Sequence, residues 1–149
     1  MNKITELRKI FKNYEIDGYI VPKNDEFFGE YTSRDQDKLK FISKFSGSFG
    51  FALILKNKNY LFVDGRYTLQ ARIESDKTFN VINIPAQFPS DIIKNKKLSI
   101  GFDPKLYTEL MLKRLFGKNA CKLVPLKENL IDKIWLRKNN INPKKFYIL

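Results

Sequence analysis

Two apolar runs, residues 49–56 and 60–64, are separated by Asn57-Lys58-Asn59 and followed at once by Asp64-Gly65-Arg66-Tyr67. Polar residues between two β-prone runs specify a tight antiparallel hairpin, with asparagine able to take positive φ in the turn. Both runs are too apolar to alternate cleanly, so burial on both faces of a sheet is expected. The second run ends in Asp-Gly-Arg-Tyr, which opens a helix over about 66–75, fitted by Tyr67, Leu69, Ala71 and Ile73. A doubly covered sheet with one antiparallel pair, in a chain whose other elements alternate, confines the fold to an α/β domain with a mixed sheet.

The rest of the chain supplies that alternation. Ile4, Leu7, Ile10, Phe11 and Tyr14 share one helical face, so residues 3–14 read as an amphipathic helix ended by Asp17-Gly18. Residues 19–22 read as a short buried strand stopped by Pro22. Residues 23–34 are turn-rich yet carry Phe27, Phe28 and Tyr31, a loop expected to dock on a groove of its own domain. Residues 35–44 read as a helix with Leu39, Phe41, Ile42 and Phe45 inward. Strands follow at 79–84, 98–102 and 122–126. Helices are expected at 90–95, capped by Ser90, at 107–116, stopped by Gly117, and at 129–135. Residues 137–145 have a linker's composition, and the apolar Phe146-Tyr147-Ile148-Leu149 reads as the entry to a further folded unit.

Composition narrows the function. The 149 residues suit one domain, 43% hydrophobic and 14% aromatic, with no apolar run near the length that spans a bilayer. The start of the chain lacks the apolar core of a signal peptide. Cys121 is alone, which excludes an internal disulfide and fits a reducing, cytoplasmic compartment. There is no histidine, which removes Ser-His and Cys-His nucleophile pairs and every histidine-containing metal site. The net charge of +12 is spread over most segments, with local clusters only at 94–97 and 137–145. Such diffuse charge governs solubility and weak association more than specific nucleic-acid recognition.

Candidate chemistry is sparse. Asp64 stands where a carboxylate can cap a helix start, Gly65 permits the turn, and Arg66 pairs with an acid. In the sharper reading Arg66 and Tyr67 face a domain or subunit interface, where a guanidinium recognises carboxylates. Residues 45–50, Phe-Ser-Gly-Ser-Phe-Gly, lack the spacing of a phosphate-binding loop and read as a glycine turn between helix and strand. Asp25, Glu26, Asp64, Glu74 and Asp103 are the carboxylates from which a metal-dependent nuclease site could be assembled. Cys121 reads as a structural thiol.

Five pieces in this order resemble the N-terminal domain of Xaa-Pro aminopeptidases, in the creatinase/aminopeptidase P/prolidase group. They are residues 17–22 (Asp-Gly-Tyr-Ile-Val-Pro), Glu30-Tyr31, 41–48 (Phe-Ile-Ser-Lys-Phe-Ser-Gly-Ser), 64–71 (Asp-Gly-Arg-Tyr-Thr-Leu-Gln-Ala) and 125–135 (Pro-Leu-Lys-Glu-Asn-Leu-Ile-Asp-Lys-Ile-Trp). Lys44 stands where the family usually has glycine, and Phe49 where it has a small residue. The resemblance implies a three-layer α/β/α, RNase H-like domain with a mixed sheet of about six strands, over residues 1–136, with 137–149 a linker toward a following domain. It further implies that the chain is non-catalytic: two divalent metal ions, usually manganese, sit in a separate catalytic domain, on two Asp, one His and two Glu that these residues do not supply. That domain removes an N-terminal residue preceding proline. By resemblance this one would build a homodimer and shape the rim of the active site, with Asp64, Arg66, Tyr67, Phe27, Phe28 and Tyr31 as candidates. A free-standing basic module that binds nucleic acid is the alternative, and an RNase H-like nuclease a third.

Overall fold

The computed structural model describes residues 2–23, 37–94, 96–117 and 121–136. Their elements run in the order α1 (Lys3–Phe11), β1 (Gly18–Pro22), α2 (Lys38–Ser43), β2 (Phe51–Leu55), β3 (Asn59–Asp64), α3 (Thr68–Glu74), β4 (Phe79–Ile84), α4 (Pro89–Ile92), β5 (Ser99–Phe102), α5 (Glu109–Phe116), β6 (Lys122–Pro125) and α6 (Leu130–Ile134). One six-stranded sheet has the order β4-β3-β2-β1-β5-β6. β2 runs antiparallel to β1 and β3, while β3–β4, β1–β5 and β5–β6 are parallel. The mixed sheet expected from the hairpin is present.

Because alternate strand residues point to opposite faces, the apolar strands feed two cores. Tyr19, Val21, Ala52, Ile54, Leu61 and Val63 pack with Leu7 and Phe11 of α1, Leu39 and Ile42 of α2, Ala71 of α3 and Leu130 of α6. Ile20, Leu53, Phe62 and Ile100 pack on the other face, with Ile93 after α4 and Leu115 and Phe116 of α5. The domain therefore has three layers, helices on both sides of the sheet.

Polar side chains fasten the strand ends. The Ser99 N–H donates to Asp17 Oδ2 at 2.8 Å, and Lys56 Nζ lies 3.1 Å from Oδ1, so one carboxylate joins β1, β5 and the end of β2. The Ser99 N–H, with Lys56 behind it, holds the Asp17 carboxyl below its usual range. A depressed folded-state value stabilises above the unfolded value near 4, and that contribution is lost as pH falls through the folded one. Asp17→Asn keeps the shape and an acceptor for Ser99. Its stability deficit against the parent, read by urea unfolding, is expected to be largest near neutrality and to shrink below about pH 4.

Several local expectations are corrected. Helix α1 continues only as a 3-10 turn, Lys12–Tyr14, and the chain reverses at Glu15, φ 54°. Gly18 is the first residue of β1 rather than a helix stop. The hairpin closes through Leu55 N–H to Lys58 O at 2.8 Å, with Ile54 opposite Asn59. Neither asparagine takes positive φ: among the described non-glycine residues only Glu15 and Lys44 do. Asn59 is drawn into β3 because Arg8 Nη2 donates to its Oδ1 at 2.6 Å while Arg8 Nε donates to Leu55 O at 2.7 Å. Leu69 and Ile73 are exposed, 72% and 73%, whereas Ala71 is buried. At 100° per residue, positions 67, 69, 71 and 73 cannot share a face; Tyr67 and Ala71 face inward, which turns Leu69 and Ile73 out. Ser90 is not a cap. Pro89 opens α4, and the Asp91 carboxylate accepts the Phe88 N–H at 2.8 Å. Helix α5 starts after Tyr107, capped by Thr108, and stops at Gly117, φ 56°, as anticipated.

Candidate functional site

Strands β1, β3 and β4 end at the same edge of the sheet, where β2 begins. A crevice of about 420 Å³ opens outside it. Open α/β sheets bind ligands in this position, beyond the carboxyl ends of their strands. Phe49, Phe88 and Met111 give the crevice apolar walls, and Lys23, Asp64 and Arg114 bring charge to it. Lys23 pairs with Asp37, which also caps α2 through the Lys40 N–H. Arg114 is exposed and makes no hydrogen bond or ion pair among the described residues. Tyr107 also lines the crevice, its ring edge-on to Phe102. Its hydroxyl is buried with no hydrogen-bond partner among the described residues, and burial raises the phenol well above its ordinary range, so it stays protonated.

One wall continues into the turn after β3. Asp64 Oδ1 accepts the Arg66 N–H at 2.9 Å and Arg66 Nε at 3.2 Å, and these bonds hold its carboxyl below the usual range. The Arg66 guanidinium carbon lies 5.4 Å from the centre of the Tyr67 ring. The Tyr67 hydroxyl is 2.6 Å from Ser48 Oγ, and its ring stands edge-on to Phe45. Glu74 accepts the Ser46 N–H at 2.8 Å and Ser46 Oγ at 2.9 Å. Hydrogen bonds and a ring contact thus join the glycine turn at 45–50 to the Asp-Gly-Arg-Tyr turn and to α3. Lys44, which caps α2 in the left-handed region with φ 71°, directs the chain into it. Lysine there adopts the conformation glycine takes more readily.

The structure therefore brings Asp64, Arg66 and Tyr67 together at the carboxyl edge. Asp64 caps and pairs with Arg66, as expected. Gly65 is different: its φ is not positive, and a Cβ would meet nothing within 4 Å, so the turn itself does not require glycine. Phe27, Phe28 and Tyr31 lie outside the described residues, as do Asp25 and Glu26. Ser48, Tyr107 and Arg114 were not legible as site residues, since each reaches the edge from a different element. Asp103 is engaged by Asn129 Nδ2 at 2.9 Å and the Lys105 N–H at 2.9 Å. Among the described residues no group of three or more His, Cys, Asp or Glu is placed to hold a metal ion. Burial raises the Cys121 thiol, which leaves it protonated and unreactive at neutral pH.

A family profile for the creatinase/prolidase N-terminal domain matches residues 3–134. A probable Xaa-Pro aminopeptidase P of Laccaria bicolor is 35% identical over 144 residues, covering 89% of this chain and 22% of that protein. One from Colletotrichum graminicola is 31% identical over 153 residues, covering 95% and 25%. The chain thus spans about a quarter of the length of these relatives. The X-prolyl aminopeptidase of Caenorhabditis elegans, described as a cytosolic enzyme with a di-nuclear active site, superposes with a TM-score of 0.77 at 27% identity, covering 89% of this chain and 25% of that one. The N-terminal domain of the peptidase PepQ from Mycobacterium tuberculosis shares the fold, with a TM-score of 0.69 at 19% identity over 89% of this chain and 98% of that one.

Proposed function

The chain belongs to the creatinase/prolidase N-terminal domain family, and from that premise we propose that it is the non-catalytic shoulder of a metal-dependent Xaa-Pro aminopeptidase. Residues 1–136 form the domain and 137–149 lead toward a metallopeptidase domain or chain. That partner holds two divalent ions, manganese by family resemblance, and works in the cytoplasm. This chain has no histidine to offer such a centre. Its own part is to build a homodimer and to present the carboxyl edge of its sheet as the rim of an active site.

The observation that carries this reading is the exposed Asp64–Tyr67 turn. Asp64 fixes Arg66 through Nε, and no acceptor among the described residues engages the two Nη atoms. A guanidinium held at one nitrogen and open at its fork is built to meet a carboxylate from outside. Gly65 beside it leaves the backbone bare, which suits close approach of another surface. Among the described residues no comparable feature favours the nucleic-acid alternative. Arg8 is tied to the hairpin, Lys56 to Asp17 and Lys133 to Glu128.

The purified chain, given an Xaa-Pro-Yaa tripeptide and manganese, is expected to release no free amino acid. Mixed with a metallopeptidase domain of the aminopeptidase P type, it should co-elute with it, and Arg66→Ala should weaken that association. Turnover by the chain alone would overturn the proposal.

A further inference from the structure

The two edges of the sheet are built differently. β6 is four residues long, starts with Lys122 and ends with Pro125, the usual protection of an edge against pairing with another chain. β4 is six residues long, Phe-Asn-Val-Ile-Asn-Ile, with neither charge nor proline. In a chain of net charge +12, a neutral edge of this kind is a place where two copies can meet without repulsion.

The hydrogen bonds of β4 say which groups are open. The Phe79 N–H donates to Asp76 O at 3.0 Å, and Asn83 O accepts the Gln87 N–H at 3.1 Å, so neither group is directed at β3. The N–H and C=O of one strand residue point the same way, and alternate residues share that direction. Phe79, Val81 and Asn83 therefore turn their backbone away from β3. Four of their six polar groups have no backbone partner among the described residues: Phe79 O, Val81 N–H, Val81 O and Asn83 N–H.

From this pattern we infer that β4 is a self-pairing edge, joining two copies of this chain antiparallel about a two-fold axis at Val81. In that register Val81 exchanges two hydrogen bonds with its counterpart, and each Asn83 N–H meets the Phe79 carbonyl of the other copy. All four open groups are matched, and the two already closed lie where the pairing ends. Residues opposite one another keep the same face, so both cores continue across the joint. Helix α3 lies against this edge, with Thr68 bonded to Asn83, and carries the exposed Leu69 and Ile73. The second copy gives that apolar surface something to cover. The inference rests on the homodimer in the reading above and assigns it a surface.

Sedimentation of the full chain across concentration tests it, together with amide hydrogen exchange. The expected result is a dimer in which the Val81 and Asn83 amides become protected as concentration rises. Val81→Pro removes the outward N–H while leaving the hydrogen bonds to β3 in place, and should give a folded monomer. If that variant fails to fold, Leu69→Lys/Ile73→Lys, altered only at exposed positions, should weaken the dimer about tenfold or more through like charges at the joint. A chain that stays monomeric overturns the inference. So does a dimer whose Val81 and Asn83 amides exchange freely; that outcome leaves the peptidase-domain reading standing, with the dimer formed elsewhere.

Discussion

Replacing Phe62 with alanine is expected to lower the unfolding free energy by about 3–5 kcal/mol. Phe62 is fully buried on β3, opposite Phe51 of β2, with their rings stacked at 4.9 Å. Truncation removes the transfer energy of the ring and leaves a cavity. The neighbouring rings of Phe51 and Tyr60 stand on the strands of the β-ladder, which cannot collapse into the space without breaking backbone hydrogen bonds. A loss of that size is a large fraction of the roughly 5–15 kcal/mol that holds an ordinary domain together. Urea unfolding followed by circular dichroism measures it, with the slope unchanged if only the native state is affected. Phe62→Leu, which refills most of the volume, should cost less than half as much; equal losses would mean that packing at this site is not the cause.

The second large effect has the opposite geometry. Gly18→Val is expected to destabilise by about 3 kcal/mol, the upper end of the usual range for overpacking. A Cβ at Gly18 would stand 2.6 Å from Leu55 Cδ2 and 3.0 Å from both Ile100 Cδ1 and the Ile54 carbonyl oxygen. The two side chains could turn aside, but the carbonyl belongs to the β1–β2 ladder and cannot. Gly65→Ala is the control. Its Cβ meets nothing and its φ suits an L residue, so thermal unfolding should shift by no more than about 0.5 kcal/mol. If Gly65→Ala leaves folding intact but weakens association with a metallopeptidase domain, the bare backbone there serves the interface rather than the turn.

These two glycines mark where sequence reading succeeded and where it could not. Asp17-Gly18 looked like a helix stop because glycine commonly ends helices. The reversal is made by Glu15 instead, and Gly18 is needed because Leu55 and Ile100 close over it from strands far along the chain. Gly65 looked like a turn requirement, and the turn turns out not to need it. In both cases the residue type was informative, but the reason for it was set by neighbours distant in sequence.

The helix after β3 teaches the same lesson in another form. Its existence followed from the Asp-Gly-Arg-Tyr junction, and Asp64 caps the 3-10 turn, Gly65–Tyr67, that leads into it. Which of its apolar residues would be buried depended on where the helix lies on the sheet. Tyr67 bonds Ser48 and leans on Phe45, which fixes its rotation and leaves Leu69 and Ile73 outside. Ser48, Tyr107 and Arg114 meet Asp64 at one crevice only because β1, β3 and β4 end together there.

The sequence alone determined the family, the three-layer plan and the place of the hairpin. Those depend on periodicity, turn chemistry and ordered motifs, all of which are local and survive in one dimension. Tertiary structure alone decided which strands form the two edges of the sheet, which buried phenol lacks a hydrogen-bond partner among the described residues and which glycine is sterically required. Each of these is a relation between backbone or side-chain atoms far apart along the chain, and it exists only once the strands have taken their order.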